Sequence, residues 1–233
     1  MKFSVEKNLF NQFPGLHIGV LAVKEIDNRG LDEDILGLIR ELQLRIREEF
    51  TIDTLLQHPK IAVWREAYSS FGAKPKKHPS SVESLYRMTL KGSDLRHINK
   101  VVDVYNGISL KHMVPVGGDD TARIEGDIRL TVARGGEPFR ALHALKDEAA
   151  CRGEVVYMDD REVLCRRWNW RECDKTKMTE STTEVVLVVE GLPPVTRMAV
   201  EAIVSDLKNL VMKSCGGKSR HAVLDGESPA FIL

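Results

Sequence analysis

The sequence is short of the residues that most often announce a chemistry. It has four cysteines, Cys151, Cys165, Cys173 and Cys215. None forms a Cys-x-x-Cys pair and none has histidine at finger spacing, which argues against a zinc module and a disulfide framework and leaves reduced thiols. Neither sign of charge is in excess, with 34 Lys plus Arg against 34 Asp plus Glu. There is no global field to hold DNA, and any nucleic-acid contact must come from a local patch. No apolar run approaches the roughly 20 residues of a bilayer span, and Met1 to Lys7 lacks the apolar core of a signal peptide. No membrane partner is expected, and the cytoplasm is the default setting. Cofactor fingerprints are missing too. Gly216-Gly217-Lys218-Ser219 has the end of a phosphate-binding loop without its preceding strand, and reads as a helix stop. Asp119-Asp120 and Asp159-Asp160 have no third carboxylate at useful spacing, so they read as turn caps and no metal is expected.

What is present is enough apolar residue, 42% of 233, to bury a sizeable core as one large domain or two intimately packed halves. The stretch from Asn99 to Asp120 organises the rest. Val101, Val102, Tyr105, Ile108, Ser109 and His112 fall at helical spacing, and Pro115 with Gly117-Gly118 ends the pattern. A buried helix is therefore expected to deliver a polar loop. Asp103 and Asn106, beside its apolar face, must either brace that loop or line a site.

Before this stretch the pattern is mainly helical. Leu16 to Lys24 reads as a buried strand. Leu31, Ile35, Leu38, Ile39, Leu42 and Ile46 predict a long amphipathic helix, with acids in its first turn. A second helix should open at Pro59 and carry Ile61, Trp64, Tyr68 and Phe71, and a third should open with a Ser80–Glu83 capping box. Between them lies a basic loop with Lys74, Lys76 and Lys77, suited to phosphate contact or simply solvated. After Asp120 the pattern turns to sheet. Asp127 to Val132 alternates, Glu154 to Met158 and Glu162 to Arg166 form a hairpin, and Glu184 to Glu190 is apolar enough for a sheet centre. A last helix is expected from Pro193-Pro194, followed by an edge strand from Ser219 to Leu224.

The run Asn-Lys-Val-Val-Asp-Val-Tyr-Asn from Asn99, the later Gly-Asp-Ile-Arg-Leu and Gly-Gly-Glu, the hairpin, and Thr182-Thr183 before a strand ending in Glu190 come in a telling order. Together they resemble the tRNA-editing domain in the beta subunit of phenylalanyl-tRNA synthetase, and more closely the free-standing proteins built from it. The likeness runs from about Ile61 to Val211, so residues 1–60 look like a strand and helix extension packed on an editing-type domain over 61–233. It implies an α/β fold of two interlocked modules, a helix-rich N-terminal half and a sheet-rich C-terminal half, with a pocket between them. It also implies an aminoacylated tRNA 3′ end as partner, hydrolysis of a mischarged ester in trans, and no cofactor.

Carried over by position, Asn106 matches the asparagine that helps build the family's pocket, and Glu190 the strand-end glutamate that contacts the amino acid. Two departures stand out. The family's editing histidine falls at Gly117, with His112 five residues earlier, and its glycine-rich pocket segment falls at about Asn169 to Cys173. Deacylation of an activated ester still needs only positioned water and oxyanion donors. Asn106, Asn169, Thr179 and the amides of Gly117 and Gly118 are candidate donors, Glu190 can take the ammonium or orient water, and His112 is either a base or a satisfied structural histidine. Arg166, Arg167, Trp168, Trp170 and Arg171 suit the tRNA end by stacking and phosphate contact. The two tryptophans, placed on one strand face, equally suit the core. A trans-acting deacylase and a noncatalytic module that binds tRNA ends or a free amino acid are the two readings.

Overall fold

A computed structural model describes residues 1–233 as two large β-sheets and a small two-stranded one, with helices packed around them. The chain opens with β1 (Lys2–Val5), α1 (Lys7–Gln12) and β2 (His17–Lys24). Five helices follow, α2 (Glu33–Glu49), α3 (Ile52–Gln57), α4 (Pro59–Ser70), α5 (Ser81–Leu90) and α6 (Lys100–His112), before β3 (Val116–Asp120). Next come β4 (Ile128–Val132), the short β5 (Pro138–Phe139) and β6 (Glu148–Ala149), then β7 (Val155–Met158), β8 (Val163–Arg166) and β9 (Arg171–Glu172). The chain closes with β10 (Glu184–Gly191), α7 (Arg197–Cys215), β11 (Lys218–Leu224) and β12 (Ala230–Ile232).

Strands β12-β1-β4-β7-β8-β9 make one sheet and β11-β2-β10-β3 the other, so the chain crosses repeatedly between them. This is a mixed α/β architecture of two interlocked modules. The first sixty residues, expected as a packed extension, supply an internal strand to each sheet: β1 lies between β12 and β4, and β2 between β11 and β10. β10 is central, as its unbroken apolar run predicts, and α7 packs across β2 and β10. That contact is close enough to require glycine at position 19, where a Cβ would come within 2.3 Å of Val204.

The helices follow their sequence signals. Asp32 caps α2, Ser80 caps α5 and Asn99 caps α6 through their side chains, but the expected Ser80–Glu83 box forms only by half, because the Glu83 carboxyl pairs with Arg65 and Arg87. Ile35, Ile39, Leu42 and Ile46 are the buried face of α2, whereas Leu31, expected on that face, lies before the helix and is exposed. The last helix starts at Arg197 with Thr196 as its cap, later than the prolines suggest. Asp103 braces the loop before α6, accepting from His97 and from the Ile98 amide.

Two expectations are corrected. The polar loop after α6 is strand β3, paired antiparallel to β10 from Val116 to Asp120. Its glycines answer a steric demand, since a Cβ on Gly118 would stand 2.2 Å from the Val186 carbonyl oxygen. The tryptophans do not share a strand face either. Arg167 and Trp168 both adopt positive φ in the turn between β8 and β9. Burial of Trp168 among Phe13, Trp64 and Phe71 stabilises that unusual backbone, and tertiary packing overrides the alternating pattern.

Candidate active site

The two sheets meet at Glu190. It lies near the end of β10 with 3% of its surface exposed, and its partners come from the other sheet and the β8–β9 turn. Tyr157 on β7 donates its hydroxyl to Glu190 Oε1, and Asn169, in the β8–β9 turn, donates from Nδ2 to Oε2. Asn169 Oδ1 in turn accepts the Tyr68 hydroxyl at 2.8 Å and the Ser81 amide at 3.2 Å. A backbone N–H can only donate, so the Ser81 contact fixes which end of the amide faces Glu190. Nδ2 keeps one N–H uncommitted. Burial pushes the Glu190 carboxyl up to about 7, against the stabilising bonds from Tyr157 and Asn169.

Two further acids stand close by. Burial, followed by the charges of Asp119 and Glu190, drives Glu172 on β9 well above the usual carboxylate range. Burial also pushes Asp119 on β3 to about 6, although Thr176 donates to it. Three cavities converge on Glu172. A chamber of about 40 Å³ contains Glu190, Tyr157, Trp168, Asn169 and Gly117 in its wall. An adjoining groove of about 280 Å³ is lined by Asn106, Trp170 and Arg171, and a larger cavity of about 660 Å³ by Val102, Met178 and Thr179. Gly117 leaves room for this arrangement, because a Cβ there would lie 3.1 Å from Glu172 Oε1. No group of three or more His, Cys, Asp or Glu side chains is arranged to hold a metal ion.

The residues singled out from sequence are only partly brought together. Glu190, Asn169, Asn106, Gly117, Gly118, Trp168, Trp170 and Arg171 line the chamber or the groove. Trp170 carries two guanidiniums over its ring, Arg167 at 4.6 Å and Arg171 at 4.4 Å from the centroid. Thr179 lies on the larger cavity, where its hydroxyl meets Ser181. Lys74, Lys76 and Lys77 are exposed on their loop, with Lys74 and Lys76 beside Arg65 on a shallow surface groove. His112 stands apart: it pairs with Asp206 of α7 at 2.7 Å and lines none of the three cavities. Arg166 is buried and committed, with Nη2 2.7 Å from Glu154 and Nη1 2.8 Å from Glu148.

Four members of the site went unread in the sequence. Tyr157 and Tyr68 looked like ordinary core aromatics, and Asp119 like half of a turn cap. Glu172 fell inside the segment from about Asn169 to Cys173 that the resemblance matches to the pocket, but no role was read for it. The only signal available was a polar atom on an otherwise apolar face, which needs a partner once buried. The caps were read correctly at Asp120, which accepts from the Ala122 amide, and at Asp159, which accepts from the Arg161 and Glu162 amides.

Comparison with known proteins adds a family. The model of the B3/4 domain matches residues 63–214. Among solved structures, an N-terminal fragment of the phenylalanyl-tRNA synthetase beta subunit from Pyrococcus horikoshii aligns at a TM-score of 0.48 with 15% identity. The alignment covers 94% of this chain and 50% of that one, so the chain spans half the length of that structure. No curated protein matches the chain.

Proposed function

Because the chain belongs to the B3/4 domain family, we propose that it hydrolyses the ester joining a wrong amino acid to the 3′ end of a tRNA, acting in trans as an editing deacylase. The observation that carries the reading is the locked amide of Asn169. Glu190, Tyr68 and Ser81 fix its orientation, and its remaining N–H belongs to a side chain in the wall of both the chamber and the groove. A preorganised donor of this kind stabilises the oxyanion that develops as water adds to an ester carbonyl. Asn106 lines the same groove and can assist.

The reaction asks for no protein nucleophile, since an aminoacyl ester is already activated. The thiols are poor candidates in any case: burial drives Cys165 well up and Cys173 to about 12. The acids around the chamber suit an α-ammonium, which relieves the cost of their ionisation. Trp170 with Arg167 and Arg171 offers a stacking and phosphate-binding rim for the terminal nucleotides, and the Lys74, Lys76 and Lys77 loop a second contact with the backbone. Neither Arg166 nor His112 has a part in this scheme. A cytoplasmic setting, where charged tRNA is found, goes with it.

Asn169→Ala should slow release of the mischarged amino acid by about 10²- to 10³-fold. Affinity for uncharged tRNA should hold, because the stacking rim is intact. Equal loss of both would mean that Asn169 only holds the fold. One observation favours a second reading, a noncatalytic module that binds the charged end: position 117, where the resembling domain has its histidine, is glycine here. That module would bind charged tRNA and release nothing.

A further inference from the structure

The 40 Å³ chamber holds two buried polar atoms without a protein partner among its lining residues. Trp168 is fully buried, and its Nε1, near enough to Glu190 to favour the carboxylate, completes no hydrogen bond; Ser81 Oγ is likewise buried without a partner. An unsatisfied buried donor costs on the order of 1–3 kcal/mol, so two in one polar cavity call for a ligand. The volume suits roughly one to three waters, each of which needs two to four polar partners. The wall includes residues that can supply them: Trp168 with its indole N–H, Ser81 with its hydroxyl, and Glu172 and Glu190 with their carboxyls. Glu190 already accepts from Tyr157 and Asn169. The Glu172 carboxyl accepts no hydrogen bond from nitrogen or hydroxyl of the protein and has only the Cys165 thiol beside it, and the residue lines the chamber, the groove and the larger cavity at once.

We propose that this chamber holds the hydrolytic water and that Glu172 is the general base that activates it, in the space that Gly117 leaves open. The inference rests on the deacylase reading. As the water oxygen bonds to the ester carbonyl carbon, one of its protons passes to the Glu172 carboxylate and the carbonyl π electrons move to oxygen, where Asn169 donates. The tetrahedral intermediate then collapses. The bond to the ribose oxygen breaks, and Glu172 returns the proton to that leaving oxygen, giving a free amino acid and a free tRNA hydroxyl. Trp168 and Ser81 are positioning residues that hold the water. Burial suits Glu172 to the task, because a carboxylate forced above its ordinary range is the stronger base.

The groups that face Glu172 set how its titration reads. Asp119 comes from β3, Glu190 from β10 and Cys165 from β8, with Tyr157 from β7 and Tyr105 from α6. The acids titrate as a set, so the rising limb of a rate profile belongs to the set rather than to one residue.

The test is single-turnover release of amino acid from mischarged tRNA across pH 5 to 8.5, corrected for spontaneous hydrolysis. In the wild type the rate should rise with pH as Glu172 loses its proton. Glu172→Gln should lower it by about 10²-fold or more and flatten the rising limb, with affinity for tRNA unchanged. Ser81→Ala, which removes only the hydroxyl and keeps the backbone N–H that Asn169 accepts, should slow release while keeping the limb. A Glu172→Gln enzyme with wild-type rate and profile would overturn the assignment of the base and leave the deacylase reading standing. No release by the wild type would overturn both. Should Glu172→Gln fail to fold, a Ser81→Ala protein with the full wild-type rate would remove the water-holding chamber from the mechanism.

Discussion

Glu190 illustrates how one residue is both structural and reactive. Its place at the end of an apolar strand made it legible, since such a strand is buried and its last polar residue must meet something. Its surroundings were only partly legible: Asn169 was singled out, but Tyr157 donates from a distant segment, Tyr68 acts behind Asn169 and Glu172 stands alongside, none of these three with a mark of its own. Burial raises Glu190 from the ordinary value of 4.5 to about 7, so the folded state holds a proton that the unfolded chain has already released. Its contribution to stability is full below about pH 4.5 and is lost as pH rises to about 7. Asp119, raised from 3.8 to about 6, acts in the same direction. Urea denaturation at pH 5 and at pH 7.5 should therefore show the wild type losing stability with rising pH, on the order of 2 kcal/mol from Glu190. Glu190→Gln should lose clearly less, and an equal loss in the two proteins would assign the effect elsewhere.

At the scale of elements, the turn between β8 and β9 departs most from expectation. The run Arg-Arg-Trp-Asn-Trp-Arg-Glu reads as a basic, aromatic strand for nucleic acid, yet its members divide. Arg166 and Trp168 go inward, and Trp170 and Arg171 go outward to the groove. Nothing in local propensity decides this, because the positive φ at Arg167 and Trp168 is imposed by the aromatic cluster and by the Arg166–Glu154 pair. Arg166→Ala leaves Glu154, 7% exposed in its side chain, without its closest guanidinium. Arg167 Nη2, 3.0 Å from Glu154, still compensates part of the charge, so the expected cost is about 1–3 kcal/mol, measured by urea denaturation. Lys76→Ala, on the exposed loop, should leave the denaturation midpoint in place and reduce the salt dependence of tRNA binding by about one unit of slope. The glycines of β3 repeat the lesson. Gly117 and Gly118 look like strand breakers in sequence, and only the distance to Val186 and Glu172 explains them.

For the whole molecule, the helix order, the hairpin and the central β10 were legible from periodicity and caps, and the interlocking of two modules came from the family resemblance. The role of the N-terminus was not. A segment that precedes the matched residues looks like an addition, whereas β1 and β2 each stand between two other strands. Long-range strand order leaves no trace in local pattern. Deleting residues 1–24 should therefore abolish cooperative thermal unfolding altogether, and a truncated chain that still melted sharply would show the segment to be dispensable. The same interlocking sets Glu190 of one sheet against Tyr157, Asn169 and Glu172 of the other, which is the basis of the proposed activity. That activity is tested most directly by following amino-acid release from a panel of correctly and incorrectly charged tRNAs in the presence of the wild-type protein. Selective release from one mischarged species, many-fold above its spontaneous hydrolysis, is the predicted result. Binding of charged tRNA with no release from any member of the panel would contradict it.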